Sequence, residues 1–366
     1  MRKICIAFLI MVVAVASCVT KEGTSNKISS FAVTITKGEK GSEANPLPFS
    51  ADTLYDYILS AKAIGRKGEI FTAFSGNTRI RVGPSGLLVT GSGRTIEAVF
   101  KNGVADGIQI SIKRAHGPIR IWIEDNGTDE IPGSYATGIS EPIYFRNPTI
   151  VQIQTTDNPE LSAIQGDEVK VDVKGRKVVV TGKSVDGFYI TDTSESTIDF
   201  ASIYVYTFNL PDIEVGDVLA SLAGNVDEYY GFTEISYPIF KIDEGVSVTL
   251  PKPEELNATM VADPITLEKL ESASVVAHNV WVCPLNSDFA KYNQWRVSLD
   301  TTPGCSDETK LINVLTPSGF TFTPKGHEGI KIACIKGFMR QHVAATPQFM
   351  IAPLTDSDLS LESECQ

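Results

Sequence analysis

The segment VLASLAGNVDEYYGFTEISYP, residues 218–238, decides how the chain is read. A strand signal runs to Gly224, continues a few residues, turns around Tyr230-Gly231 and ends at Pro238. Residues 330–353, IKIACIKGFMRQHVAATPQFMIAP, repeat that layout with Gly337 and Pro353 in the same places. Three strand signals precede each copy. Before the first come two strands around an Asp-Gly turn, KVVVTGKSVDGFYITDT (177–193), then SIYVYTF (202–208). Before the second come SVVAHNVWV (274–282), QWRVSLD (294–300) and KLINVL (310–315). The spacing predicts two five-strand units, at 165–250 and 262–356. The link between them (251–272) starts Pro-rich and ends in PITLEKLE, a short helix with Pro in its first turn.

A five-strand unit whose fourth strand carries such a glycine resembles the OB-fold, a small, partly open barrel. The glycine suits the sharp bend where a barrel strand turns a corner. Units of this kind resemble the OB-like modules of bacterial exported lipoproteins and of some extracellular nucleases. In the nucleases the chemistry lies in another domain, and the sequence offers no candidate for one.

Upstream, residues 29–155 alternate or run β-branched: SFAVTI (30–35), TRIRVG (78–83), TIEAVF (95–100), IQISIK (108–113) and IRIWIE (119–124). Turn residues separate them, and spacings near ten residues argue for a sandwich. The second half of 51–63 reads as a further strand, and 134–153 as the last strand and exit, which sets the boundary at 155–165. The rhythm resembles an immunoglobulin-like β-sandwich, without the Cys…Trp…Cys core of antibody domains. The expected fold class is therefore all-β: an immunoglobulin-like sandwich followed by two OB-fold-like barrels.

The N-terminus carries its own signal. Met1-Arg2-Lys3 is followed by an uncharged apolar run over 4–16, shorter than the ~20 residues of a spanning helix. It ends in Val15-Ala16-Ser17-Cys18, which resembles the bacterial lipobox. The resemblance implies cleavage after residue 17, a diacylglyceryl thioether on Cys18, and an acyl chain such as palmitate on its amino group. Residues 18–28 then form a polar tether. With Val19 rather than Asp next, it further implies the outer membrane. Ala14-Val15-Ala16 also fits simple secretion from Ser17.

Cys5 leaves with the signal and Cys18 takes lipid, so Cys283, Cys305, Cys334 and Cys365 remain. An even set in an exported chain implies two disulfides, and no C-x-x-C spacing suggests zinc. Pairings Cys283–Cys305 and Cys334–Cys365 are preferred because each closes a local loop. The formal charge is −12, and loss of Arg2 and Lys3 would make it two units more negative. Between 160 and 246 sixteen acidic residues face six basic ones, the wrong sign for a phosphate groove.

Residue patterns for catalysis are lacking. His327-Glu328 starts like H-E-x-x-H, but residue 331 is Lys. No G-x-S-x-G or G-x-x-x-x-G-K-[ST] occurs. His116 reads as a solvated turn residue and His278 as a structural strand residue. EDNGTDE (124–130) offers Asp125, Asn126 and Asp129 as oxygen ligands for calcium, but a turn at Asn126-Gly127 explains the same letters and is preferred. Tyr204, Tyr206 and Phe208 share one strand face and read as half a barrel core. Tyr229, Tyr230 and Phe232 have no aromatic counterparts in the second copy, so the fold does not demand them. They are the expected exposed contact site. The reading is a non-enzymatic envelope lipoprotein without cofactor, anchored in the membrane and partnered by an envelope protein or glycan. The alternatives are an OB face that binds nucleic acid or glycan, and a hydrolase whose site the sequence disguises.

Overall fold

The structure, a computed structural model, describes residues 28–49, 51–89, 96–125, 136–155, 162–343 and 347–365. The first module contains β1 (Ser30–Lys37), β2 (Tyr55–Ile64), β3 (Asn77–Gly83), β4 (Leu87–Val89) and β5 (Ile96–Val99). β6 (Val104–Lys113), β7 (Pro118–Asp125), β8 (Thr137–Ile139) and β9 (Ile143–Tyr144) complete it. One sheet runs β1-β2-β6-β4 and the other β5-β3-β7-β8, with β9 also on β7. Period-two alternation builds the core between them: Ile119, Ile121 and Ile123 of β7 all point inward, as do Phe31, Val33 and Ile35 of β1. Between the sheets Phe31, Phe74 and Phe100 pack as an aromatic trio with centroids 5.1–5.6 Å apart. This is the immunoglobulin-like sandwich expected.

The exit differs from expectation. Residues after β9 form helix α1 (Ile150–Gln154), opened by a capping box between Thr149 and Gln152. Its Ile150 and Ile153 are buried in the core of the next module. Packing therefore puts the boundary at Pro148, ahead of the predicted 155–165. A five-residue helix is too short to show a period in sequence.

The second module contains β10 (Glu168–Val171), β11 (Val178–Lys183), β12 (Gly187–Asp192), β13 (Ser202–Tyr206), β14 (Leu219–Tyr229) and β15 (Phe232–Ile242). Its sheet order is β10-β14-β15-β13-β12-β11, with β13 and β15 parallel and the other pairs antiparallel. With β10 and β11 as two halves of one bent first strand, the order is first, second, third, fifth, fourth and back to first. That is the OB-fold path. The bridge between Val179 and Val218 helps close the barrel.

The third module repeats the path. It begins with β16 (Glu254–Glu255), α2 (Ala258–Val261) and α3 (Pro264–Lys269), the last with Asp263 as N-cap and Pro at its start. β17 (Ser274–Val282), α4 (Ser287–Tyr292), β18 (Gln294–Ser298), β19 (Leu311–Leu315), β20 (Lys331–Val343), β21 (Pro347–Ala352) and β22 (Leu359–Ser360) follow. The order is β16-β17-β18-β19-β21-β20-β22, β19 and β21 are parallel, and β17 pairs with β20 to close the barrel. Leu256 and Val261 belong to its core, and β22 pairs with β20, so this module spans residues 254–365 rather than 262–356.

The repeated glycines are structurally equivalent. Gly224 stands opposite Val169 of the first strand, and Gly337 opposite Val275. A β-carbon on Gly224 would meet Ser236 O at 2.6 Å and Pro238 Cα at 3.4 Å; on Gly337 it would meet Ala352 at 2.6 Å and Pro353 N at 2.7 Å. The Gly and Pro of each copy thus touch across the fourth and fifth strands. Both preferred disulfides are present: Cys283–Cys305 ties the end of β17 to the loop after β18, and Cys334–Cys365 ties β20 to the C-terminal tail. No helix among the described residues is long and apolar enough to cross a membrane.

Candidate functional site

OB barrels present the face of their second and third strands to ligands. In the first barrel that face belongs to β12 and β13, and alternation sends Phe188, Ile190, Ile203 and Val205 into the barrel core. Tyr189 and Tyr204 consequently point outward. The second barrel covers them. Phe338 and Arg340 of β20 reach across, joined by Leu354, and pack with Tyr189, Tyr204 and Phe232 into a separate apolar cluster. The rings of Tyr189 and Phe338 stack at 4.0 Å and 14°. The Arg340 guanidinium lies 4.7 Å from the Phe232 ring and 5.5 Å from that of Tyr204, in cation–π range.

This arrangement corrects two expectations. The row begun by Tyr204 and Tyr206 faces away from the barrel core, and Tyr204 is buried by a second module. Alternation fixes which residues share a face but not what covers it. Phe232, expected at the surface, is 1% exposed. The fold needs it for the junction between barrels, which a comparison of single copies does not reveal.

Tyr229 and Tyr230 remain at the surface, 59% and 55% exposed, and meet edge to face at 4.9 Å. They sit at a two-residue hairpin turn, Tyr230-Gly231, between the paired Tyr229 and Phe232. Tyr230 has φ of +54° and Gly231 +84°, the pattern of a type I′ turn. The Tyr230 ring stacks on His342 of the second barrel at 4.9 Å and 17°. Farther along the first barrel, Tyr206, Phe208 and Tyr237 form a second exposed aromatic file, with centroids 4.4 and 4.9 Å apart.

Beneath the junction lies a group of buried acids that sequence reading missed. Glu228 of β14 meets Glu268 of α3 and Glu271 just beyond it, and Gln154 of α1 joins them. Thr233 binds two of the three acids: its N–H donates to Glu271 Oε1 at 3.0 Å and its hydroxyl to Glu228 Oε1 at 2.8 Å. Gln154 Nε2 donates to Ser202 O at 2.7 Å and to Glu271 Oε1 at 3.4 Å. The Oε2 atoms of all three glutamates have no hydrogen-bond partner among the described residues. Burial, then mutual repulsion, pushes the Glu271 carboxyl well above its usual range. Burial, then Glu228, raises Glu268 to about 9. Burial also raises Glu228 to about 7, against the Ser162 N–H and Thr233 hydroxyl that bind it. Glu234, beside Arg340, is raised to about 7 by burial, with Arg340 opposing. Glu268 and Glu271 therefore hold protons at neutral pH. Both barrels contribute to the group, Gln154, Glu228 and Thr233 from the first and Glu268 and Glu271 from the second, and its residues lie too far apart in sequence to form a motif.

Cys18, Asn126 and Asp129 lie outside the described residues. Asp125 is buried at the end of β7, its N–H bonded to Ala136 O at 3.0 Å. His116 is buried rather than solvated, with Nε2 3.4 Å from Asp167 Oδ2 of the first barrel. His278 faces outward on β17, opposite the buried Val275 and Ala277, and the left-handed residue Asn279 (φ +56°) resets the alternation so that Val280 is buried. Among the described residues, His278, Cys334 and Glu364 are grouped closely enough to hold one metal ion, but Cys334 Sγ is committed to a disulfide.

No family model matches the chain, and no curated protein matches it. Among solved structures, the chain is similar to dimeric latent PorU from Porphyromonas gingivalis at 11% identity, over 89% of this chain and 34% of that one, with a TM-score of 0.22. The chain thus spans about a third of that protein's length. A likeness at this score carries no argument about function.

Proposed function

We propose that this protein is an outer-membrane lipoprotein, anchored through Cys18, whose three β-modules act together as a non-enzymatic binding unit for another envelope component. The observation that carries the reading is the placement of Tyr229 and Tyr230. A left-handed backbone costs a bulky L-residue roughly 1–2 kcal/mol, and Asn or Gly would make the same turn at lower cost. The chain instead holds a tyrosine there, more than half exposed, beside a second exposed tyrosine. Exposed, rigid tyrosines of this kind are typical anchors at protein interfaces. The stack on His342 fixes the Tyr230 ring, so less freedom is lost on binding.

The anchor supports this reading from the sequence side, through the apolar run that ends in Val15-Ala16-Ser17-Cys18. The view that catalysis is not its role rests on the missing sequence motifs. Two experiments test the proposal. Intact-mass measurement of the membrane fraction is expected to show a mature chain beginning at acylated Cys18; an unmodified chain beginning at Ser17 would refute the anchor. Pull-down from envelope extract is expected to capture a partner with the wild-type chain and to lose it with Tyr229→Ser/Tyr230→Ser. Hydrolase activity in a substrate screen of the purified chain would refute the non-enzymatic part.

A further inference from the structure

A cleft of about 870 Å³ lies where the sandwich meets the first barrel, lined by residues of β3, β7, β9, β10 and the loops between them. Its size is within the ~300–1,000 Å³ typical of small-ligand sites. The lining runs against the charge of the rest of the chain. Arg120, Arg146 and Lys170 converge on it, in a protein whose formal charge is −12. Arg120 is positioned by donation from Nη1 to Ser140 O at 2.6 Å. Among the described residues, no carboxylate pairs with any of these three cations. Trp122, Tyr144 and Phe145 share the lining, and the indole of Trp122 lies against Gly83, where a β-carbon would meet it at 2.7 Å.

We propose that this cleft binds an anionic saccharide, one with a carboxylate or phosphate on a minority of its groups and hydroxyls on the rest. Charge density selects this class. Two acids, Glu43 and Asp172, line the same cleft, so three cations face two carboxylates and the excess is a single positive charge. Nucleic acid and acidic peptides carry a charge on every unit and would meet those carboxylates with repulsion. A sugar with sparse charge satisfies both sets: its acid pairs with arginine or lysine, and its hydroxyls donate to Glu43 and Asp172. The apolar face of its ring packs on Trp122 or Tyr144. The site stands apart from Tyr229 and Tyr230, so it holds or fails independently of the partner proposed above.

The test is titration of the purified full chain with sialyllactose, a trisaccharide with one carboxylate, followed by tryptophan fluorescence. Saturable binding is expected, weakened by added salt and at least about tenfold stronger than for uncharged lactose. Arg146→Glu and Lys170→Glu are each expected to weaken it by about tenfold or more. Both residues are exposed and neither side chain is paired with a carboxylate among the described residues, so these variants keep the wild-type melting temperature. Absence of saturable binding overturns the proposal, as does binding that both charge reversals leave unchanged. A short oligoglutamate that competes as well as the sugar overturns the saccharide assignment in favour of an acidic peptide.

Discussion

Phe338 of the second barrel stacks on Tyr189 of the first at 4.0 Å, over a site left open by Gly182. Gly182 is the cross-strand partner of Tyr189, and a β-carbon there would collide with the Phe338 ring. One glycine thus admits a side chain from another module. Phe338→Ala removes the ring from a well-buried site and is expected to cost about 3 kcal/mol or more. Gly182→Val wedges the same contact and is expected to cost about 1–3 kcal/mol. Chemical denaturation checks both, with the two barrels unfolding as separate transitions once the junction is loosened.

The glycine–proline contacts make a paired prediction. Gly224→Ala and Gly337→Ala each drive a β-carbon into backbone 2.6 Å away, and backbone cannot rotate aside. Each is expected to destabilise its own barrel by roughly 1–3 kcal/mol. Similar losses at both positions, measured by denaturation, are the expected mark of equivalent sites.

The hairpin tyrosines and Phe232 should separate cleanly. Tyr229→Ser is expected to change stability by no more than about 0.5 kcal/mol, as at other exposed sites. Tyr230→Asn suits the left-handed turn and is expected to leave the melting temperature equal or higher. Phe232→Ser removes a buried ring from beneath Arg340 and is expected to cost about 3 kcal/mol or more. Thermal melts of the three variants decide.

Stability is expected to fall as pH rises. Glu228, Glu234, Glu268 and Glu271 all have carboxyls raised above the ordinary glutamate value of about 4.3. The folded state therefore holds more protons than the unfolded state between that value and each raised one. Their penalty is absent at low pH and grows through about 7 for Glu228 and Glu234 and about 9 for Glu268. Glu268→Gln with Glu271→Gln is expected to flatten the profile and raise the melting temperature on the alkaline side. A pH series of melts measures it.

The disulfides close loops with sequence separations of 22 and 31 residues in the second barrel. Loop-closure entropy makes each worth about 3–4 kcal/mol. Reduction is expected to lower the stability of that barrel while the sandwich and first barrel, which lack cysteines among the described residues, keep theirs. Hydrogen exchange with and without reductant distinguishes the modules.

Much of the fold was legible in the chain. Ile119, Ile121 and Ile123 alternate with Arg120, Trp122 and Glu124 because one face of β7 meets a core, and such spacing needs no partner to be read. The paired Gly224–Pro238 and Gly337–Pro353 marked the barrels because a close backbone approach restricts the residue locally. α1 was missed because five residues cannot display a helical period. At the candidate sites, exposed Tyr229 and Tyr230 were legible as aromatics that the second copy omits.

Which residues share a face, where strands turn, and which cysteines can close short loops are all written along the chain. These depend on backbone geometry and nearest neighbours along the chain. The tertiary structure alone decided what each face meets. It buried Phe232 and Tyr204 under Phe338 and Arg340, gathered Glu228, Glu268 and Glu271 around Thr233, and brought Lys170 of one module to Arg120 and Arg146 of another. Those outcomes depend on how separate modules dock, and docking joins residues with no fixed spacing in the chain.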